Sequence, residues 1–127
     1  KDELATYGKQ VSKLFGLKVL ALTKRRSDSM ELNRWKSAAV TSTGEVAVSK
    51  EERTFTVRDR LGGGDSWASG FYFGLLTEGS LSDGIEKGIK IGDAAISFQQ
   101  TLFFDLPIFR SSDLEPLLDG PSFRVQR

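Results

Sequence analysis

The sequence predicts an α/β fold, and three observations carry that reading. Residues 17–22 form a short apolar run, Leu-Lys-Val-Leu-Ala-Leu, of the kind buried on both faces of a parallel sheet. Residues 53–58 alternate, with Phe55 and Val57 on one side and Thr54 and Thr56 on the other, as a half-buried strand requires. Between and around them lie long stretches with apolar residues at helical spacing.

The elements follow in order. Residues 2–15 predict a helix with Leu4, Tyr7, Val11, Leu14 and Phe15 on its apolar face, and Gly16 is a suitable C-cap. The apolar strand 17–22 comes next. Residues 23–34 read as a polar loop carrying Lys24, Arg25, Arg26 and Arg34. Residues 36–42 and 45–49 predict a hairpin turning at Thr43-Gly44. After the strand 53–58, residues 65–76 predict a helix on which Ala68, Phe71, Tyr72, Leu75 and Leu76 recur. Gly79-Ser80 breaks that pattern, and Ser80 or Ser82 can cap the next helix, with Glu86 in reach. That helix, residues 82–100, carries a stripe of Ile85, Gly88, Ile89, Gly92, Ala95 and Ile96. Its small residues suit close helix packing. An apolar loop, 101–110, leads to a short helix at 114–118 capped by Ser111-Ser112-Asp113, and Pro121 opens a tail.

Composition narrows the chemistry. With 39% hydrophobic and 28% charged residues, the 127-residue chain reads as one domain with a real core. A formal net charge of +1 gives no electrostatic footprint for nucleic acid. No apolar run is long enough for a membrane span, so no membrane partner is expected, and the cytoplasm is the expected compartment. Cysteine and histidine are both absent, which removes disulfides, thiolate metal sites and histidine-based triads. Acid–base work therefore falls to carboxylates, lysine or tyrosine.

The most informative stretch is Asp59-Arg60-Leu61-Gly62-Gly63-Gly64-Asp65-Ser66-Trp67. A strand runs into three consecutive glycines and a helix starts at the second aspartate. Unpaired N–H groups at a helix start suit a phosphate, and the adjacent carboxylate suits removal of a proton from a hydroxyl. An anion cradle beside a general base is what phosphoryl transfer to an alcohol needs. Each part also has a plainer use, the glycines as a turn and the aspartate as a favourable charge at the helix dipole.

This segment resembles the signature of the ribokinase-like (PfkB) carbohydrate kinases, Asp-Thr-x-Gly-Ala-Gly-Asp followed by a helix rich in small residues and Phe. The form found here is similar to the branch of 2-keto-3-deoxygluconate kinases. Leu22-Thr23-Lys24-Arg25, Asn33-Arg34-Trp35-Lys36-Ser37-Ala38, Gly74-Leu75-Leu76, Ala94-Ala95, Thr101, Asp105, Gly120 and Arg124-Val125-Gln126-Arg127 extend the resemblance over most of the chain.

The resemblance implies the C-terminal part of a three-layer α/β/α fold with a small β-hairpin segment. It makes residues 1–127 the ATP-side C-terminal half of a longer kinase, with the sugar pocket and lid outside it. A strand buried on both faces without parallel neighbours points the same way. The implied reaction is ATP-dependent phosphorylation of a hydroxyl of a sugar acid, 2-keto-3-deoxygluconate above all. Asp65 is then the catalytic base and Gly62, Gly63 and Gly64 the anion hole. Thr23, Lys24, Arg25 and Ala94 fall on the nucleotide side. Arg60 pairs with a phosphate or the acidic substrate, and Asp59 is structural or contributes to a cation site. ATP and Mg2+, with a monovalent cation, are the implied cofactors, and a homo-oligomer is an expected assembly because a fragment exposes a sheet edge.

Two departures accompany the match. Phe103-Phe104 stands where the branch carries Pro-Gly, with Pro107 near its usual asparagine, and the magnesium-linked Asn-x-x-Glu has no counterpart in the chain. A non-catalytic nucleotide-binding or interaction module, or a kinase for another sugar such as fructose, remains open on this reading.

Overall fold

The structure, a computed structural model, describes residues 1–27, 29, 31–103 and 109–118. Helix α1 (Asp2–Phe15) leads into strands β1 (Val19–Ser27), β2 (Leu32–Thr41), β3 (Val46–Val48) and β4 (Arg53–Thr56), and helices α2 (Gly63–Thr77), α3 (Leu81–Gln99) and α4 (Ser111–Leu118) follow. The α/β class is as expected.

The sheet is built around β2. β1 pairs along one edge of it, from Val19 opposite Thr41 to Ser27 opposite Asn33. The other edge is shared end to end by β3, with Ala39 opposite Ala47, and β4, with Asn33 opposite Phe55. All three pairings are antiparallel. Side chains alternate across a strand, so β2 presents two faces. Asn33, Trp35, Ser37 and Ala39 turn toward α2 and α3, whereas Val40 lies against Gly8 of α1. Helices therefore cover both sides of the strand, giving the three layers.

The main core joins Trp35, Ala39, Ala47, Phe55 and Val57 of the sheet side to Trp67 and Phe71 of α2 and Ile85, Ile89 and Ile96 of α3. Trp67 stacks on Phe71 with ring centroids 5.1 Å apart. A second cluster, Ala94, Ala95, Leu114 and Leu117, fastens α4 to α3.

Three expectations are corrected. Residues 17–22 are not a parallel strand buried on both faces. β1 is an antiparallel edge strand, half-buried over its first four residues and exposed over the rest. Its apolar residues of both parities are used because one set packs on the core, through Val19 and Ala21, while α1 covers the other side. The expected polar loop 23–34 is mostly strand, since an antiparallel edge can face water and its backbone pairing does not need apolar side chains. On α1 the buried positions are Gly8 and Ser12, while Tyr7, Leu14 and Phe15 are exposed. The helix approaches the sheet too closely for a side chain at position 8, where a Cβ would strike Val40.

Helix ends follow their local chemistry. Gly16 caps α1 with φ 65°, a left-handed conformation that favours glycine. Ser80 caps α3 by accepting from the Asp83 amide at 3.1 Å and returns its hydroxyl to the Asp83 carboxylate at 2.7 Å. The residue that answers the cap is Asp83 rather than Glu86, through the Ser80 hydroxyl. The 41–45 turn joins β2 to β3 as expected, with Gly44 at φ 101°. Asp105, Phe104, Pro107 and the tail from Gly120 lie outside the described residues.

Candidate phosphate site at the start of the second helix

The chain reaches the glycine run along a pinned path. Val57 donates its N–H to the Glu31 carbonyl at 2.8 Å, and Arg58 donates to the Gln100 carbonyl at 2.7 Å. The Asp59 carboxylate then accepts from the Leu61 amide at 3.0 Å, closing a small turn. Gly62 follows at φ 69° as the N-cap of α2.

The first bond within α2 is Ser66 N–H to the Gly62 carbonyl, 2.8 Å. The N–H groups of Gly62, Gly63, Gly64 and Asp65 precede that ladder, and no side chain caps the helix. Space beside Gly64 is open, with no heavy atom within 4 Å of where a Cβ would stand. The backbone donors without helical partners thus gather at the positive end of a 15-residue helix, with Gly64 exposed, Gly62 half-buried and Gly63 buried. Asp65 is exposed and is the acidic residue of the first turn.

Beneath the turn lies a buried polar layer that sequence reading missed. Asn33 of β2 and Gln100 at the end of α3 are both buried, and Asn33 donates its amide to Gln100 Oε1 at 2.9 Å. Ser27 donates its hydroxyl to Asn33 Oδ1 at 2.9 Å, and Arg60 donates to Ser27 Oγ at 3.3 Å and to the Ser29 carbonyl at 3.3 Å. Arg60 is therefore held by the β1–β2 turn. The one sequence signal was a pair of glutamines, Gln99-Gln100, ending an otherwise apolar helix.

The other residues expected on the nucleotide side are placed differently. Thr23, Lys24 and Arg25 are exposed on β1, opposite Ser37, Lys36 and Trp35. Thr23 and Lys24 line a shallow hollow of about 350 Å³ with Lys36, Ser37 and Ser49. No hydrogen bond among the described residues ties them to the glycine turn. Ala94 is fully buried against Leu114 and Leu117, so in this structure it offers no surface to a base, and α4 is the reason.

A larger cleft, about 660 Å³, opens between β3, residues 49–51 and α3, with Lys50, Arg53, Lys87, Lys90 and Asp93 in its lining. Asp93 is a buried carboxylate that accepts from four side chains. Trp35 Nε1 (3.1 Å), Trp67 Nε1 (3.0 Å) and Ser37 Oγ (2.5 Å) bond one oxygen, and Ser49 Oγ (2.6 Å) the other. Burial lowers the Arg53 guanidinium pKa from its usual value while the Asp93 charge raises it. Arg53 also donates to the Leu117 carbonyl at 2.6 Å. A lone charge within the stripe 91–100 was the sequence signal for this site.

Among the described residues no three His, Cys, Asp or Glu side chains gather as a metal site, and no helix is long and apolar enough to cross a membrane.

No family model matches the sequence, and no curated protein matches it. Solved structures do. A 2-dehydro-3-deoxygluconokinase from Thermotoga maritima superposes with a TM-score of 0.80 at 23% identity, over 94% of this chain and 35% of its own. A provisionally named 2-keto-3-deoxygluconate kinase from Enterococcus faecalis gives 0.76 at 24%, over 97% and 34%. A PfkB family carbohydrate kinase from Listeria grayi gives 0.76 at 23%, over 90% and 34%. The chain thus spans about a third of these proteins, where a half was expected. Its fold is that of one part of a PfkB-type carbohydrate kinase.

Proposed function

We propose that this chain is the phosphate-binding part of a sugar kinase, working within a longer protein that phosphorylates a hydroxyl of a sugar acid such as 2-keto-3-deoxygluconate. The observation that carries this is the uncapped start of α2, where the N–H groups of residues 62–65 precede the helical ladder and Asp65 is exposed in the first turn. The solved kinases of the same fold support the reading, two of them named for that sugar acid.

In this mechanism the transferring phosphoryl group carries charge on its equatorial oxygens. The fixed N–H groups of Gly62, Gly63 and Gly64 stabilise that charge without reorganising, at about 3 kcal/mol for one such donor. Asp65 accepts the proton of the attacking hydroxyl, whose oxygen forms a bond to the γ-phosphorus of ATP as the bond from that phosphorus to the β–γ bridging oxygen breaks and ADP leaves. The donor set fits a phosphate. Among the described residues no carboxylate cluster makes a dedicated metal cage; magnesium would come with the nucleotide and neutralise its phosphates, and Asp59 is the carboxylate that would contribute to holding it. The cleft beside Asp93, on the helix that the resemblance puts at the adenine side, is the proposed seat of the nucleoside.

The exposed apolar residues support a role within a longer protein. Tyr7, Leu14 and Phe15 on α1 and Tyr72, Phe73 and Leu76 on α2 leave surface that a further part of a kinase would cover.

Calorimetric titration of the chain with Mg-ATP tests the proposal. Saturable one-site binding, lost when Gly64 is replaced by a bulky residue, is expected. A folded chain that releases no heat with Mg-ATP contradicts the phosphate site.

A further inference from the structure

Gln100 is 2% exposed, and its amide is committed at only one end. Oε1 accepts from Asn33, whereas Nε2 has no hydrogen-bond partner among the described residues. That nitrogen rests against Gly63, the first residue of α2, so closely that a Cβ there would collide with it. The Gln100 side chain is almost wholly enclosed, but this nitrogen is not among the unpartnered atoms sealed from the surface, so a ligand beside Gly63 can reach it. Here the unpaired donor lies beside a helix start whose own N–H groups are also unpaired.

The amide sits at the end of a chain of hydrogen bonds. Arg60 can only donate, so Ser27 Oγ accepts from it, and Ser27 gives its own proton to Asn33 Oδ1. Asn33 then turns its NH₂ to Gln100, which must meet it with Oε1. The chain of donors runs one way, from a permanently charged guanidinium to Gln100 Nε2, and each bond polarises the next. The Gln100 backbone is fixed too, since its carbonyl accepts from Arg58.

We propose that Gln100 is a further binding residue of the phosphate site, its Nε2 donating to an oxygen of the anion held at the start of α2. The inference rests on the phosphate reading above and extends it. Backbone donors alone would accept any anion at a helix terminus. A side-chain amide beside Gly63 adds a donor from a second helix and defines where one oxygen sits.

The test is a titration of the ¹⁵N-labelled 127-residue chain with inorganic phosphate, following the Gly63, Gly64 and Asp65 amides and the Gln100 side-chain NH₂. Both sets are expected to shift with one dissociation constant. Gln100→Glu keeps an oxygen for Asn33 and replaces the donor by an acceptor, and it is expected to weaken phosphate binding about tenfold or more. If the backbone amides saturate while the Gln100 NH₂ stays still, the proposal is wrong and the phosphate site stands. If none of these signals moves, both fall. Should Gln100→Glu fail to fold, the wild-type titration decides by itself.

Discussion

Gly74 of α2 lies directly on Gly88 of α3. A Cβ added at Gly74 would stand 2.5 Å from the Gly88 nitrogen, and one added at Gly70 would stand 3.0 Å from the Gly92 Cα. Two pairs of glycines thus let the helices meet backbone to backbone. That contact sets the start of α2 relative to the end of α3, and so brings Gly63 against Gln100.

Gly74→Ala tests the contact. Alanine is the better helix former by about 1 kcal/mol. The clash is with backbone, which cannot swing aside, and overpacking of this kind costs about 1–3 kcal/mol. A net loss of stability is expected in urea denaturation. A gain would mean that the helices separate freely.

Gly64→Ala and Gly62→Ala should part company. Position 64 has open space, so alanine there is expected to leave stability unchanged within about 0.5 kcal/mol. Gly62 sits at φ 69°, where an L-residue costs roughly 1–2 kcal/mol. Thermal melts of the two variants check this. Equal melting temperatures would contradict the geometry of the turn.

Asp93→Ala removes the shared acceptor of Trp35, Trp67, Ser37 and Ser49. Buried donors left without an acceptor, beside the buried Arg53 guanidinium, should cost about 3 kcal/mol or more. Chemical denaturation gives the loss. The near-ultraviolet circular dichroism of the two indoles should change with it, and an unperturbed spectrum would show that the network is absent in solution.

The β2–β3 turn should show in the acid limb of stability. Hydrogen bonds from the Thr41 and Thr43 hydroxyls hold the Glu45 carboxyl below its ordinary value of 4.5. A depressed carboxylate contributes stability above its unfolded value and loses it as pH falls through the folded one. Melting temperature should therefore drop more steeply below pH 4.5 in the wild type than in Glu45→Gln. Parallel profiles would remove Glu45 from the account.

Asp65→Asn separates catalysis from binding. Asp65 is exposed, so folding should be little affected. In a full-length kinase context, loss of a general base is expected to lower kcat about 10²–10⁴-fold. Phosphate binding by the glycine turn should persist. A rate near wild type in a sugar-acid phosphorylation assay would exclude Asp65 as the base.

Much of the architecture was legible because it is written in local patterns. The helix at 2–15 with its Gly16 cap, the hairpin at Thr43-Gly44, the alternation of Phe55 and Val57, and the glycine run opening a helix all depend on neighbours in the chain. The glycine stripe of α3 was also readable as a packing face, though not its partner. The direction of β1 was not legible. Its apolar run is equally compatible with a parallel interior strand, and only its antiparallel pairing with β2 decides the matter.

By itself, then, the sequence determined the α/β class, the uncapped glycine start of α2 and the placement of Asp65 beside it, because glycine content, capping and helical period act over a few residues. Tertiary structure alone decided what surrounds that turn. Asn33, Gln100 and Ser27 come from three elements, and Asp93 draws its donors from β2, α2 and the residue after β3. α4 covers Ala94, and Arg60 turns to the β1–β2 connection. These contacts join residues far apart in the chain, and their energies depend on burial that no local pattern encodes.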